Sequence, residues 1–128
     1  MGRLDKLTAL VIEDQYLIAL DLEGHLQGLG FGAVRLTGSA VEAMAVAQAE
    51  PVAVALLDLG LTEPGESEAL ARWLTGRGIP FVIVTGFADT FDHGHPLHGV
   101  PVVRKPFGIG QLEAAIAAVL EGRRKASA

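Results

Sequence analysis

Residues 52–58 read Val-Ala-Val-Ala-Leu-Leu-Asp, six apolar side chains in a row closed by a carboxylate. A half-exposed strand alternates polar with apolar, whereas a strand covered on both faces is apolar throughout, so this stretch predicts an inner strand of a parallel sheet. The same pattern recurs on either side of it. Leu-Thr-Ala-Leu-Val-Ile (7–12) runs into Glu13 and Asp14, Phe-Val-Ile-Val (81–84) into Thr85, and Pro-Val-Val-Arg (101–104) into Lys105 and Pro106. Ligands of open α/β sheets sit where parallel strands end. One sheet edge is therefore expected to gather Glu13, Asp14, Asp58, Thr85 and Lys105.

Between these runs lie segments of helical period, giving alternating β and α elements and a sheet covered by helices. Ile18, Leu22, Leu26 and Leu29 form one apolar face after Asp14, and Gly28, Gly30 and Gly32 stop it. These glycines follow a helix instead of linking a strand to one, so they predict a cap and a turn, not a nucleotide loop. Ala33 to Leu36 reads as a short second strand. Ser39 and Glu42 have capping-box spacing ahead of an alanine-rich helix that ends before Pro51. The loop from Gly60 to Gly65 precedes a helix carrying Leu70, Trp73 and Leu74 that ends at Gly76 and Gly78, with Trp73 expected in the core. The last helix is expected from about Gly110 and Gln111, with Leu112, Ile116, Val119 and Leu120 on one face.

The 128 residues, half of them apolar, fit a single domain over 1–128, with its core at about 6–121 and a short tail. The absence of cysteine excludes disulfides and thiolate metal sites and suits a cytoplasmic setting. The opening apolar stretch behind Arg3 and Lys6 is too short for a signal-peptide core, and no run reaches the roughly 20 residues of a membrane helix. A net charge of −5 argues against nucleic acid, since Arg123, Arg124 and Lys125 cluster only in the tail and read as a solvated helix end. From Ala88 to Val100 the apolar positions lose their period and Gly94, Pro96 and Gly99 intervene, so a fourth crossover helix is expected to be short or absent. Asp92, His93, His95 and His98 lie there. Imidazoles and a carboxylate suit zinc or nickel, but an irregular loop fixes ligand geometry poorly, and solvated histidines are the simpler reading.

Acids after the first strand, Asp58 after the third, Thr85 after the fourth and Lys105-Pro106 after the fifth together resemble a bacterial response-regulator receiver domain. The resemblance covers nearly the whole chain. It implies a flavodoxin-like fold with strand order 2-1-3-4-5. It also implies that a histidine kinase or histidine phosphotransfer protein donates a phosphoryl group to Asp58. A carboxylate can take that group by covalent catalysis. Three carboxylates beside an incoming dianion call for a small hard cation with oxygen ligands, Mg²⁺, which Asp14 and Asp58 would bind directly and Glu13 through water. The family pattern adds the backbone carbonyl of Gly60. Lys105 and the Thr85 hydroxyl would neutralise and hold the phosphoryl oxygens. Gly86 leaves room beside Asp58 for the donor, and Pro106 tends, in this family, to follow a cis bond.

Val102 departs from the family at a position where most members carry Tyr or Phe. With the run Val84, Thr85, Gly86, Phe87 and the broken fourth helix, this resembles a single-domain subgroup bearing a Phe-Ala-Thr-Gly-hydrophobic-Tyr signature. Phe87 is then a candidate to follow Thr85 in place of the missing aromatic. Gly60 and Phe87 also occupy the two positions that tune aspartyl-phosphate lifetime, and neither orients a water, so slow self-hydrolysis is expected. The sequence shows no output domain. The chain is thus expected to act as a phosphoacceptor and not as an enzyme on a separate substrate, through docking or onward transfer. Relay intermediate, phosphate sink and diffusible messenger all stay open. The strand-five and last-helix face is implied as the target or homodimer surface. A haloacid-dehalogenase-like phosphatase would need a second acid where Gly60 stands. A pseudo-receiver serving as a constitutive binding module would not need the full set of phosphorylation residues, and no Gly-x-x-x-x-Gly-Lys-Ser/Thr loop supports a nucleotide site.

Overall fold

A computed structural model describes residues 4–61, 63, 65–86 and 97–127, with side chains described through residue 122. Five strands, β1 (Thr8–Ile12), β2 (Ala33–Thr37), β3 (Val54–Leu57), β4 (Phe81–Thr85) and β5 (Val102–Arg104), form one parallel sheet in the order β2-β1-β3-β4-β5. Among the described residues four α-helices accompany them: α1 (Tyr16–Leu29), α2 (Ala40–Ala49), α3 (Glu66–Gly76) and α4 (Ile109–Ser127). This is the fold and strand order the sequence predicts. Register pairs Ile12 with both Thr37 and Leu57, Leu57 with Ile83, and Thr85 with Arg104, so the residues that follow these strands emerge at one edge.

The two-residue period of the strands divides the core into two layers. Leu10, Ile12, Ala55, Leu57 and Ile83 face α2 and α3, where Ala43, Leu70 and Leu74 meet them. Ala9, Val11, Leu56, Val82 and Val84 face α1 and α4, packing on Leu22, Leu26, Leu112 and Ile116. Every residue of β3 and β4 is buried, which is why residues 52–58 carry no polar alternation. Trp73 is half-buried at the margin of the first layer, with the Arg77 guanidinium 4.8 Å from its ring centroid.

Helix ends follow local chemistry. Gly30 takes a left-handed φ of 107° and closes α1 as its cap. The Ser39 hydroxyl accepts the Glu42 amide at 3.2 Å to start α2, while Glu42 reaches back to the amide of Gly38 instead of that of Ser39. Two boundaries add detail to the sequence reading. A single turn of 3₁₀ helix, Leu4–Lys6, precedes β1 and buries Leu4. The last helix starts at Ile109 and continues to Ser127, so Arg123–Lys125 lie at its end, as their sequence predicts. Alanine, arginine and lysine are strong helix formers, and a lone Gly122 does not end such a run.

Among the described residues no helix lies between β4 and β5; residues 97–99 form a turn. Phe87, Asp92, His93 and His95 lie outside the described residues. No described helix is long and apolar enough to cross a membrane.

Candidate functional site

Hydrogen bonds one residue past each strand carry the site. The Glu13 amide donates to the Thr37 carbonyl at 2.9 Å, the Asp58 amide to the Ile12 carbonyl at 3.1 Å, and the Lys105 amide to the Thr85 carbonyl at 2.8 Å. Extension of the ladder by one residue thus fixes where these side chains leave the sheet. Thr85 closes β4 and is 1% exposed.

The side chains converge as the sequence predicts. Carboxylate oxygens of Glu13, Asp14 and Asp58 lie within 4.8 Å of one another. The Lys105 ammonium is 2.7 Å from Glu13 Oε1 and 3.6 Å from Asp58 Oδ1. Glu13 and Asp58 are buried, at 3% and 8% exposure, whereas Asp14 stands at the open side. Burial pushes the Glu13 carboxyl above the usual carboxylate range; the nearby Asp58 adds to the rise, and the bonds from Lys105 and the Gln15 amide only partly offset it. When all are ionised, three carboxylates face one ammonium. That surplus of negative charge, presented by hard oxygen donors, suits Mg²⁺.

Backbone features complete the pocket. A Cβ on Gly60 would lie 3.3 Å from Asp58 Oδ2, so the loop after β3 passes close to the carboxylate. Among the described residues a Cβ on Gly86 would meet nothing within 4 Å. The Lys105–Pro106 peptide is cis. Val102 is half-buried on β5, packed against the α2 and α3 layer.

Two neighbouring residues escape the sequence reading. The buried Ser67 hydroxyl donates to the Asp58 carbonyl at 2.9 Å. Glu66 accepts the Ala40 amide at 2.7 Å and the Glu63 amide at 3.2 Å, joining the start of α3 to the start of α2. A serine and a glutamate in a helix's first turn look like ordinary capping residues, so neither stands out in the sequence.

No protein-family model matches the chain. A response regulator receiver domain from Methylobacillus flagellatus shares the fold, with a TM-score of 0.75 and 24% identity over 88% of this chain and 98% of that one. The phyllosphere-induced regulator PhyR of Methylorubrum extorquens is 27% identical over 113 residues, 87% of this chain; the chain spans 42% of PhyR. SdrG from Pseudomonas melonis Fr1, in its BeF3-activated conformation, is 33% identical with a TM-score of 0.75, and the match covers 94% of this chain and 99% of SdrG. The chain belongs to the response-regulator receiver domains. As a receiver it is a signalling domain of two-component phosphorelay systems. Its acidic cluster at the strand ends is compatible with Mg²⁺.

Proposed function

We propose that this receiver accepts a phosphoryl group on Asp58 from the phosphohistidine of a histidine kinase or phosphotransfer protein. The observation that carries the reading is the Asp58 carboxylate itself, buried at a strand end with the Lys105 ammonium at 3.6 Å and two further carboxylates beside it. An Asp58 oxygen bonds to phosphorus as the phosphorus–nitrogen bond breaks and the imidazole leaves. Lys105 draws charge from the phosphoryl oxygens, and Thr85 donates its hydroxyl to one of them. Glu13, Asp14, Asp58 and the Gly60 carbonyl would hold Mg²⁺, which supplies charge neutralisation when bound. Gly86 admits the donor, consistent with a Cβ there meeting nothing within 4 Å among the described residues.

The signalling consequence is a population shift driven by contacts that Thr85 and Lys105 make with the phosphoryl group. Phe87 is the proposed follower of Thr85, since Val102 is no aromatic switch. Hydrolysis is slow, because Gly60 has no side chain to orient water and Phe87 offers no polar group. The proposed unit is one receiver spanning 1–128 in the cytoplasm, with its β5 and α4 face offered to a target protein or a second copy.

The decisive experiment is intact-mass spectrometry after acetyl phosphate with Mg²⁺, alongside Asp58→Ala. A single Mg²⁺-dependent phosphoryl adduct, absent from the variant, is expected. An unmodified wild type that also stays unmodified with phosphorylated kinase would overturn the reading in favour of a constitutive binding module.

A further inference from the structure

The main-chain carbonyl of Asp58 lies one residue beyond the last ladder pair of β3, where, among the described residues, no neighbouring strand offers it an amide. A buried carbonyl in that position needs a donor, and water is poorly placed to serve. The donor is the Ser67 hydroxyl at 2.9 Å, from a side chain only 7% exposed. With the Asp58 amide bound to the Ile12 carbonyl at 3.1 Å, both backbone polar groups of this residue are tied, one to β1 and the other to α3. The residue before Ser67 in α3's first turn is tied as well: Glu66 accepts the Ala40 amide at 2.7 Å, so α3 cannot turn about the Ser67 bond without leaving α2.

We propose that Ser67 is a positioning residue for phosphoryl acceptance: by holding the Asp58 carbonyl it fixes the peptide joining Asp58 to Leu59. The proposal rests on the reading of Asp58 as phosphoacceptor. Rotation of that peptide would leave the Asp58 Cα–Cβ bond in place but carry off the loop that brings Gly60 against Asp58 Oδ2, so the carboxylate would lose the neighbour that limits its rotation beside Lys105, 3.6 Å distant. Preorganisation of this kind acts on the rate and on cation affinity as well as on stability, because a misplaced nucleophile loses reactivity even in a folded chain.

The test compares Ser67→Ala with Thr75→Ala. Thr75 also donates its hydroxyl to a main-chain carbonyl, that of Ala71 at 2.9 Å, but about two turns further along α3, so its loss removes a hydroxyl-to-carbonyl bond without touching the site. Phosphorylation rates with acetyl phosphate at saturating Mg²⁺ and Mg²⁺ dissociation constants by titration calorimetry are read on the folded proteins, with melting temperatures alongside. Ser67→Ala is expected to melt earlier and Thr75→Ala is not, and only Ser67→Ala should lose about tenfold in rate and bind Mg²⁺ more weakly. If Ser67→Ala does not fold, Ser67→Thr and Ser67→Val form the second pair, nearly equal in shape and differing in the donor. The threonine variant should outpace the valine one by about tenfold. Rates and affinities that agree within twofold between Ser67→Ala and Thr75→Ala, or between the threonine and valine variants, would overturn this role alone. A wild type that neither binds Mg²⁺ nor takes up phosphoryl would overturn the reading of Asp58 and this one with it.

Discussion

Asp58 sits among like charges, with oxygens of Glu13 and Asp14 within 4.8 Å and one ammonium to offset them. Asp58→Asn keeps the shape and removes a charge. In EDTA it should raise stability by about 1 kcal/mol, seen as a rise of a few degrees in calorimetric Tm; an unchanged or lower Tm would show that the Lys105 contact outweighs the repulsion. Glycines give a second pair of opposite outcomes. An alanine Cβ at Gly32 would fall 2.0 Å from the Asp5 carbonyl oxygen, so Gly32→Ala should cost about 2 kcal/mol or more in urea unfolding. At Gly24, exposed within α1, a Cβ meets nothing within 4 Å, and Gly24→Ala should gain about 0.5–1 kcal/mol. The convergence of Glu13, Asp14, Asp58 and Lys105, with Thr85 at the end of its strand, was legible in the sequence because each follows an apolar run, and strand ends in a parallel sheet meet at one edge. Gly32 and Ser67 were not legible, since their partners, Asp5 and the Asp58 carbonyl, are set by packing and not by period.

Elements repeat the lesson in a different form. β3 and β4 were plain because burial on both faces leaves six and four apolar residues unbroken before Asp58 and Thr85. The 3₁₀ turn at Leu4–Lys6 has no such signature, being too short to display a period. The end of α4 shows itself in another way: residues 121–127 are helical by propensity, with no apolar stripe needed to continue the run. The start of α2 was readable at Ser39 but only half so, because Glu66 of α3 takes the Ala40 amide from outside the helix. Ser39→Ala should therefore destabilise by about 1 kcal/mol in urea unfolding, while a loss below about 0.3 kcal/mol would mean that the Glu66 bond alone suffices to cap the helix.

The whole molecule is a sheet with two apolar layers and an acidic cluster at one edge. A ligand that binds this edge only in the folded state stabilises the entire chain, so Mg²⁺ at about a hundred times its dissociation constant should add about 2.7 kcal/mol. Thermal scans across a Mg²⁺ series check this, and Asp58→Asn should flatten the response. One helix links the edge to the interior. Trp73, the single tryptophan of the chain, stands on α3 six residues beyond Ser67, about 9 Å along the helix axis, half-buried against the core with the Arg77 cation over its ring. The receiver thus contains its own optical probe: a displacement of α3 that begins at the Asp58 carbonyl alters the packing and the charge around the indole, and its emission records that event without any attached dye.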